Sequence, residues 1–222
     1  MQIFQDENLE AVELLERPWS GEKLLEVRTG KVRPVFGINV QCAIFKNVRP
    51  GPVTVNKLGC EGDQDATLHY HRWKEEIPQS AYLFVLGGFW ENLVAKYANE
   101  RNISIGDIVQ IGTIIAPVTV PRQPRFKLNH RFQAKDIMSK RSQDLFRAGW
   151  LYPILKEGMV QAGDDMTLLE RPNPEWTIAK VQHYLYHDMQ NEKAMKQLVE
   201  VDELGAEARA IFANRLKKQH ED

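Results

Sequence analysis

A mainly β fold, a barrel of short strands with added α-helices gathered toward the C-terminal end, is the class this sequence predicts. Two patterns predict it. Short apolar runs punctuated by glycine and proline occupy most of the chain before residue 170. From Trp176 onward the apolar spacing turns helical, with Trp176, Ile178, Val181, Leu185 and Met189 near one face. Strands first and helices last fit a β-barrel with a helical tail. A chain of 222 residues, 43% of them hydrophobic, buries a sizeable core as one domain with a helical appendage. The expected organisation is an N-terminal extension over residues 1–22, the barrel over 23–172 and the helical segment over 173–222.

Taken in order, residues 9–15 are a short amphipathic stretch ended by Arg17-Pro18, read as a helix over the barrel. Strand signals follow at 23–28, 40–45 and 53–58, with glycine and proline between them. A turn at 59–64 leads into a polar stretch of helical character that stops near Pro78. Residues 82–86 form a compact apolar run, read as a strand ended by Gly87-Gly88. Residues 107–111 and 113–120 make a hairpin around Gly112. The segment 132–147 has helical length, and 150–155 and 166–170 return to strand character. Beyond the helix from Trp176, two more are expected around 193–199 and 206–217.

Composition narrows the function classes. The formal net charge of −1 supplies no global field toward nucleic acid or an anionic membrane. No apolar run approaches the roughly 20 residues that span a bilayer. The acidic start, Met1-Gln2-Ile3-Phe4-Gln5-Asp6-Glu7, lacks the order of a signal peptide, so a cytoplasmic protein is expected. With Cys42 and Cys60 alone, neither a disulfide framework nor a cysteine-rich zinc site is supported. Cys42 lies in an apolar strand pattern and reads as a small buried residue, whereas Cys60, in a glycine-rich turn, is the thiol to test for reactivity. His183 and His187 stand four apart on a helix, but no glutamate follows the first and no third ligand is evident, so a solvated face is the expected reading and no metal site is assigned.

The most informative stretch is Val120-Pro121-Arg122-Gln123-Pro124-Arg125-Phe126-Lys127-Leu128-Asn129. It follows an apolar strand, stiffens at two prolines and presents Arg122, Arg125 and Lys127 within six residues. Three cations on a rigid strand exit suit phosphate or carboxylate oxygens, although spacing alone favours a solvated basic loop.

Pro121-Arg122-Gln123-Pro124 followed by Phe126-Lys127-Leu128 resembles the signature of the MOSC family, named for the C-terminal domain of molybdenum-cofactor sulfurase. Further pieces fall in that family's order: Thr29-Gly30-Lys31-Val32-Arg33-Pro34, Gly51-Pro52-Val53, Leu58-Gly59-Cys60-Glu61-Gly62-Asp63-Gln64, Phe89-Trp90-Glu91-Asn92-Leu93, Ile105-Gly106-Asp107 and Gly149-Trp150-Leu151-Tyr152. The ordered set runs from about Leu25 to the C-terminal helices and is similar to the short stand-alone members. The resemblance implies a MOSC-type β-barrel and a molybdenum-cofactor site.

Three departures touch that implied site. Arg125 stands where the family carries a cysteine, the expected sulfur carrier or molybdenum ligand, and a guanidinium is no soft ligand. The family's His-Gly-Gly-Pro-Asp segment is missing, and Asp63-Gln64-Asp65-Ala66-Thr67-Leu68 runs directly into His69-Tyr70-His71. Trp90 replaces a glycine that would let backbone approach a ligand.

These changes lead first to a cofactor-independent pocket for a small organic, natural-product-like substrate, catalysing an isomerisation, cyclisation or pericyclic step by orienting it. Trp90 and Phe126 would wall that pocket, and Arg125, with Arg122 or Lys127, would stabilise charge on a carbonyl. His71 or Glu91 would move a proton, with His69, Asn92 and Arg33 completing the substrate contacts. Glu91 and Asn92 could equally satisfy backbone groups in their turn. The alternative keeps the role implied by the resemblance: binding the molybdenum cofactor, or carrying sulfur for it, in reduction of N-hydroxylated compounds. Arg122, Arg125, Lys127 and Arg33 would then hold the pterin phosphate and Cys60 would be the ligand. A third reading is a ligand-binding barrel without catalysis. The first is preferred because the missing features concern the cofactor itself.

Overall fold

Glycine and proline interrupt the apolar runs so often that no strand exceeds six residues among the described ones. The computed structural model describes residues 17–35, 40–57, 59–60, 70–86, 88–89, 91–134 and 137–220, without the side chains of 40, 41, 59 and 70–72. The expected helix at 9–15, His69 and Trp90 lie outside the described residues.

The first half builds strands β1 (Gly21–Lys23), β2 (Glu26–Thr29), β3 (Arg33–Val35), β4 (Val40–Cys42), β5 (Asn47–Val48), β6 (Val53–Asn56) and β7 (Gly59–Cys60). Helix α1 (Tyr70–Glu76) and a 3-10 turn (Pro78–Leu83) precede β8 (Leu93–Val94), β9 (Ile108–Ile111), β10 (Ile114–Pro117) and β11 (Val120–Pro121). Two short helices, α2 (Lys127–Arg131) and α3 (Met138–Asp144), lead to β12 (Trp150–Leu151), β13 (Gly158–Val160) and β14 (Asp165–Glu170). Helices α4 (Ile178–Tyr186), α5 (Glu192–Val199) and α6 (Ala206–Gln219) end the chain's described part.

The pairing is antiparallel and divided among small sheets: β1-β14-β9-β10, β13-β6-β7, β5-β2-β8, β11-β12 and β3-β4. Among the described residues these sheets do not close into a continuous hydrogen-bonded barrel. The mainly β class with added helices stands, but the closed barrel does not. The predicted hairpin is present, with Ile111 opposite Ile114 and Gly112 at φ +55° in its tight turn. Its inward positions Val109, Ile111, Ile114 and Ala116 are buried, as alternation requires. Proline ends β10 at Pro117, so the run predicted as one strand over 113–120 splits into β10 and β11.

One core joins the sheets to the C-terminal helices. Val27, Val55, Ile105, Val109 and Val118 belong to the same buried cluster as Ile178, Val181, Met195, Leu198 and Phe212. Thr177 caps α4 by accepting from the Lys180 N–H, and Asn191 caps α5 by accepting from the Ala194 N–H. A buried bidentate pair fixes the Gly106-Asp107 turn: Arg171 Nε and Nη2 lie 2.8 and 2.6 Å from the Asp107 carboxylate. That turn is structural.

A second cluster sits under α2 and contains Trp73, Ile77, Phe84, Phe89, Leu128, Phe132, Ala134 and Met138. Phe132 stacks on Phe84 with ring centroids 4.5 Å apart and meets Phe89 at 4.7 Å. This cluster explains two corrections. The apolar run at 82–86, expected as a strand, is the end of the 3-10 turn and the bend after it, where Phe84 is buried among aromatics. Of the helix expected over 132–147, only α3 is helical among the described residues, with Gln133 (φ 52°) following α2 before it and Phe146 (φ 56°) after it. Burial of single aromatics overrides the apolar spacing in both places.

Candidate functional site

Lys127 opens α2, whose Leu128 and Phe132 anchor it in the aromatic cluster. Its ammonium reaches across to the β3–β4 ladder, where Nζ lies 3.5 Å from Cys42 Sγ. Arg33 faces Cys42 in the register of that ladder. Arg131, one helical turn after Lys127, shares the Phe45 ring with Arg33: the two guanidinium carbons lie 4.9 and 4.5 Å from its centroid. Three cations, a thiol and an aromatic ring are thus gathered from three separate segments. Among the described residues no carboxylate forms an ion pair with Arg33, Arg125 or Lys127. Such a cluster is shaped for an anionic ligand.

The strand-exit cations divide into two kinds. Arg122 is 4% exposed; its backbone N–H donates to the Gly149 carbonyl, and its Nη1 donates to the Ala148 carbonyl at 3.2 Å. It pins β11 to the segment before β12. Arg125 and Phe126 are exposed, and the Phe126 ring meets His130 edge-on at 5.9 Å. Lys127 is half-buried between them and the ladder.

Glu91 and Asn92 turn inward. Glu91 is fully buried and its Oε2 accepts the Phe89 N–H at 2.9 Å. Asn92 Oδ1 accepts from the buried Lys46 Nζ at 3.1 Å, while Nδ2 donates to the Arg28 carbonyl at 2.8 Å. Of the two readings open for this pair, satisfaction of turn and backbone groups is the one the contacts carry. His71 falls in α1, but its side chain is outside the described ones, as are His69 and Trp90 entirely.

Both thiols are half-buried. Cys60 lies on β7 opposite Val55 and packs against the main core. Cys42 is the half-buried thiol beside the strand-exit lysine. Sequence reasoning missed Cys42, Phe45 and Arg131. The four-residue spacing of Lys127 and Arg131 would have found Arg131 had a helix been placed at the motif rather than after it. On α4, His183 and His187 stack at 5.8 Å with Phe146 against His187 at 5.0 Å, and no group of three potential metal ligands occurs among the described residues. No helix among them is long and apolar enough to cross a membrane.

Comparison with known proteins agrees with this architecture. The MOSC domain model matches residues 66–167, and the model of the YiiM-like, 3-alpha helix domain matches residues 176–219. YiiM of Escherichia coli is 32% identical over 163 residues, covering 66% of this chain and 72% of YiiM. The chain therefore belongs to the MOSC family, among the YiiM-like proteins. A protein named reductase from Gibberella moniliformis is 35% identical over 179 residues, 73% of this chain, but this chain spans only 32% of that protein's length. Among solved structures, YiiM of Geobacillus stearothermophilus superposes with a TM-score of 0.73 at 28% identity, over 87% of this chain and 98% of that one. YiiM of E. coli gives 0.74 at 28% identity, over 89% and 94%.

Proposed function

We propose that this chain holds a phosphate-bearing pterin, the molybdenum cofactor, at the cationic cluster around Phe45, and acts in reducing N-hydroxylated compounds. The observation that carries the reading is the convergence of Lys127, from the strand-exit motif, and Arg33, from the opposite ladder, on Cys42 with no described carboxylate to neutralise them. The donor set fits such a group: hard cations suit phosphate oxygens, and a thiol suits a soft metal. The kinship with a fungal protein named reductase supports the direction of the chemistry.

In this reading Arg33 and Arg131, both against the Phe45 ring, would hold phosphate oxygens, and Lys127 would add a point charge beside Cys42. Phe126, exposed beside Arg125, offers a flat apolar surface for the base of the substrate. When bound, the cofactor supplies a two-electron redox centre for an N–OH group. The overall reaction consumes two electrons and two protons and gives the amine and water, the electrons supplied by an external two-electron reductant. In this reading Glu91, buried, positions the Phe89 backbone by accepting its N–H.

A second reading, the cofactor-independent pocket for isomerisation, cyclisation or a pericyclic step, is favoured by one observation. Arg125 stands exposed next to Phe126 at the position of the family cysteine, where its guanidinium can address a carbonyl on a small organic substrate. Molybdenum and oxidised-pterin fluorescence, measured on protein from a host competent for the cofactor, separate the two. Near-stoichiometric amounts of both are expected. Their absence, with a cofactor-binding MOSC protein loaded in parallel, would overturn the cofactor reading and leave the second.

A further inference from the structure

Arg131, on α2, lies against two rings at once: its guanidinium carbon is 5.7 Å from the Phe132 centroid and 4.9 Å from that of Phe45. Phe132 belongs to the aromatic cluster beneath α2, whereas Phe45 follows the β3–β4 ladder. Arg33, on β3, completes the series at 4.5 Å from the Phe45 centroid. Rings and guanidiniums thus alternate from the cluster to the ladder, and Phe45 is the ring that both cations share. We infer that Phe45 is the positioning residue of this site: its aromatic ring holds Arg33 and Arg131 together and thereby sets how tightly a phosphate-bearing ligand is bound. The inference rests on the proposed function and deepens it at the same site.

Two like charges brought to one place repel, whereas the negative face of an aromatic ring attracts each of them. An aliphatic side chain of similar size supplies packing without that attraction. The backbone that carries the ring is itself fixed. Ile44 before it is fully buried, and Lys46 after it is buried with its Nζ donating to Asn92 Oδ1 at 3.1 Å. Asn92 Nδ2 donates to the Arg28 carbonyl at 2.8 Å, and Arg28 Nη1 donates to the Lys46 carbonyl at 3.4 Å, which closes a circuit of contacts beside Phe45. Gly30 packs so closely that a Cβ there would collide with the Phe45 carbonyl oxygen. A ring on so constrained a backbone orders the guanidiniums stacked on it before ligand arrives, and that preorganisation strengthens binding.

The test titrates inorganic pyrophosphate calorimetrically into the full chain without added cofactor, as wild type, Phe45→Leu and Phe45→Tyr, each shown to be folded by its thermal midpoint. Phe45→Tyr should bind as the wild type does, and Phe45→Leu about tenfold more weakly. Phe45→Met gives the same comparison should the leucine variant not fold. A residue that only fills space would be replaced as well by leucine as by tyrosine, so the dependence on aromaticity is the decisive readout. Equal affinity in Phe45→Leu, weak binding in Phe45→Tyr, or no pyrophosphate binding by the wild type would each overturn the assignment. Pterin content of the same proteins from a cofactor-competent host separates this inference from the function it rests on. A wild type without pterin whose pyrophosphate affinity still follows the aromatic ring refutes the proposed function alone. Equal pterin in the wild type and Phe45→Leu refutes this inference alone.

Discussion

Asn92 uses both ends of its amide inside the fold, one toward the buried Lys46 ammonium and one toward the Arg28 carbonyl. Asn92→Ala removes an acceptor from a buried charge and should cost about 2 kcal/mol in chemical denaturation. The pterin retained per folded molecule should stay at the wild-type level, because the residue supports the ladder and does not touch ligand. Tyr186 tests burial in a different way. Its hydroxyl has no partner among the described residues, and burial pushes the phenol from its ordinary 10.0 up to about 12. A raised pKa in the folded state means that the stabilisation is complete below pH 10.0 and is lost as pH rises through about 12. Thermal midpoints recorded across that window should fall less steeply in Tyr186→Phe than in the wild type. Arg33 and Lys127 were legible as ligand-site candidates because their motifs are distinctive. Cys42 was not, because an apolar strand context is also how an inert, buried cysteine looks, and only the helix opposite distinguishes them.

At the scale of elements, the position of α2 rests on its aromatic underside. Phe132, buried, stacked on Phe84 and tilted against Phe89, holds the helix that carries Lys127 and Arg131. Phe132→Ala should destabilise by about 3–5 kcal/mol. Ligand retention should fall even in the fraction that remains folded, since α2 loses its anchor; pterin content normalised to the native population checks this. The same cluster marks where the sequence pattern misled. A compact apolar run at 82–86 looks like a strand until it is seen to lack a partner, and a segment of helical length from Phe132 looks helical throughout until Gln133 adopts positive φ. Elements with clean periodicity, the hairpin at Gly112 and the helices after Trp176, were legible because nothing competes with their local preference.

Across the whole molecule, strands of several sheets and the C-terminal helices share one core, while the cationic cluster includes side chains of α2, which sits on the separate aromatic cluster. The family and the fold class were readable from ordered motifs spread along the sequence, while the closure of the sheets and the partners of the site depend on long-range register that no single motif encodes. The central claim is that Arg33 and Lys127 together hold the phosphate-bearing ligand. Its most direct measurement is pterin content of the Arg33→Ala, Lys127→Met double variant against the wild type, both from a cofactor-competent host and both with thermal midpoints recorded. With two charge-assisted contacts removed, retained pterin should drop at least about tenfold while the midpoint stays near that of the wild type. Full pterin occupancy in the double variant would contradict the account.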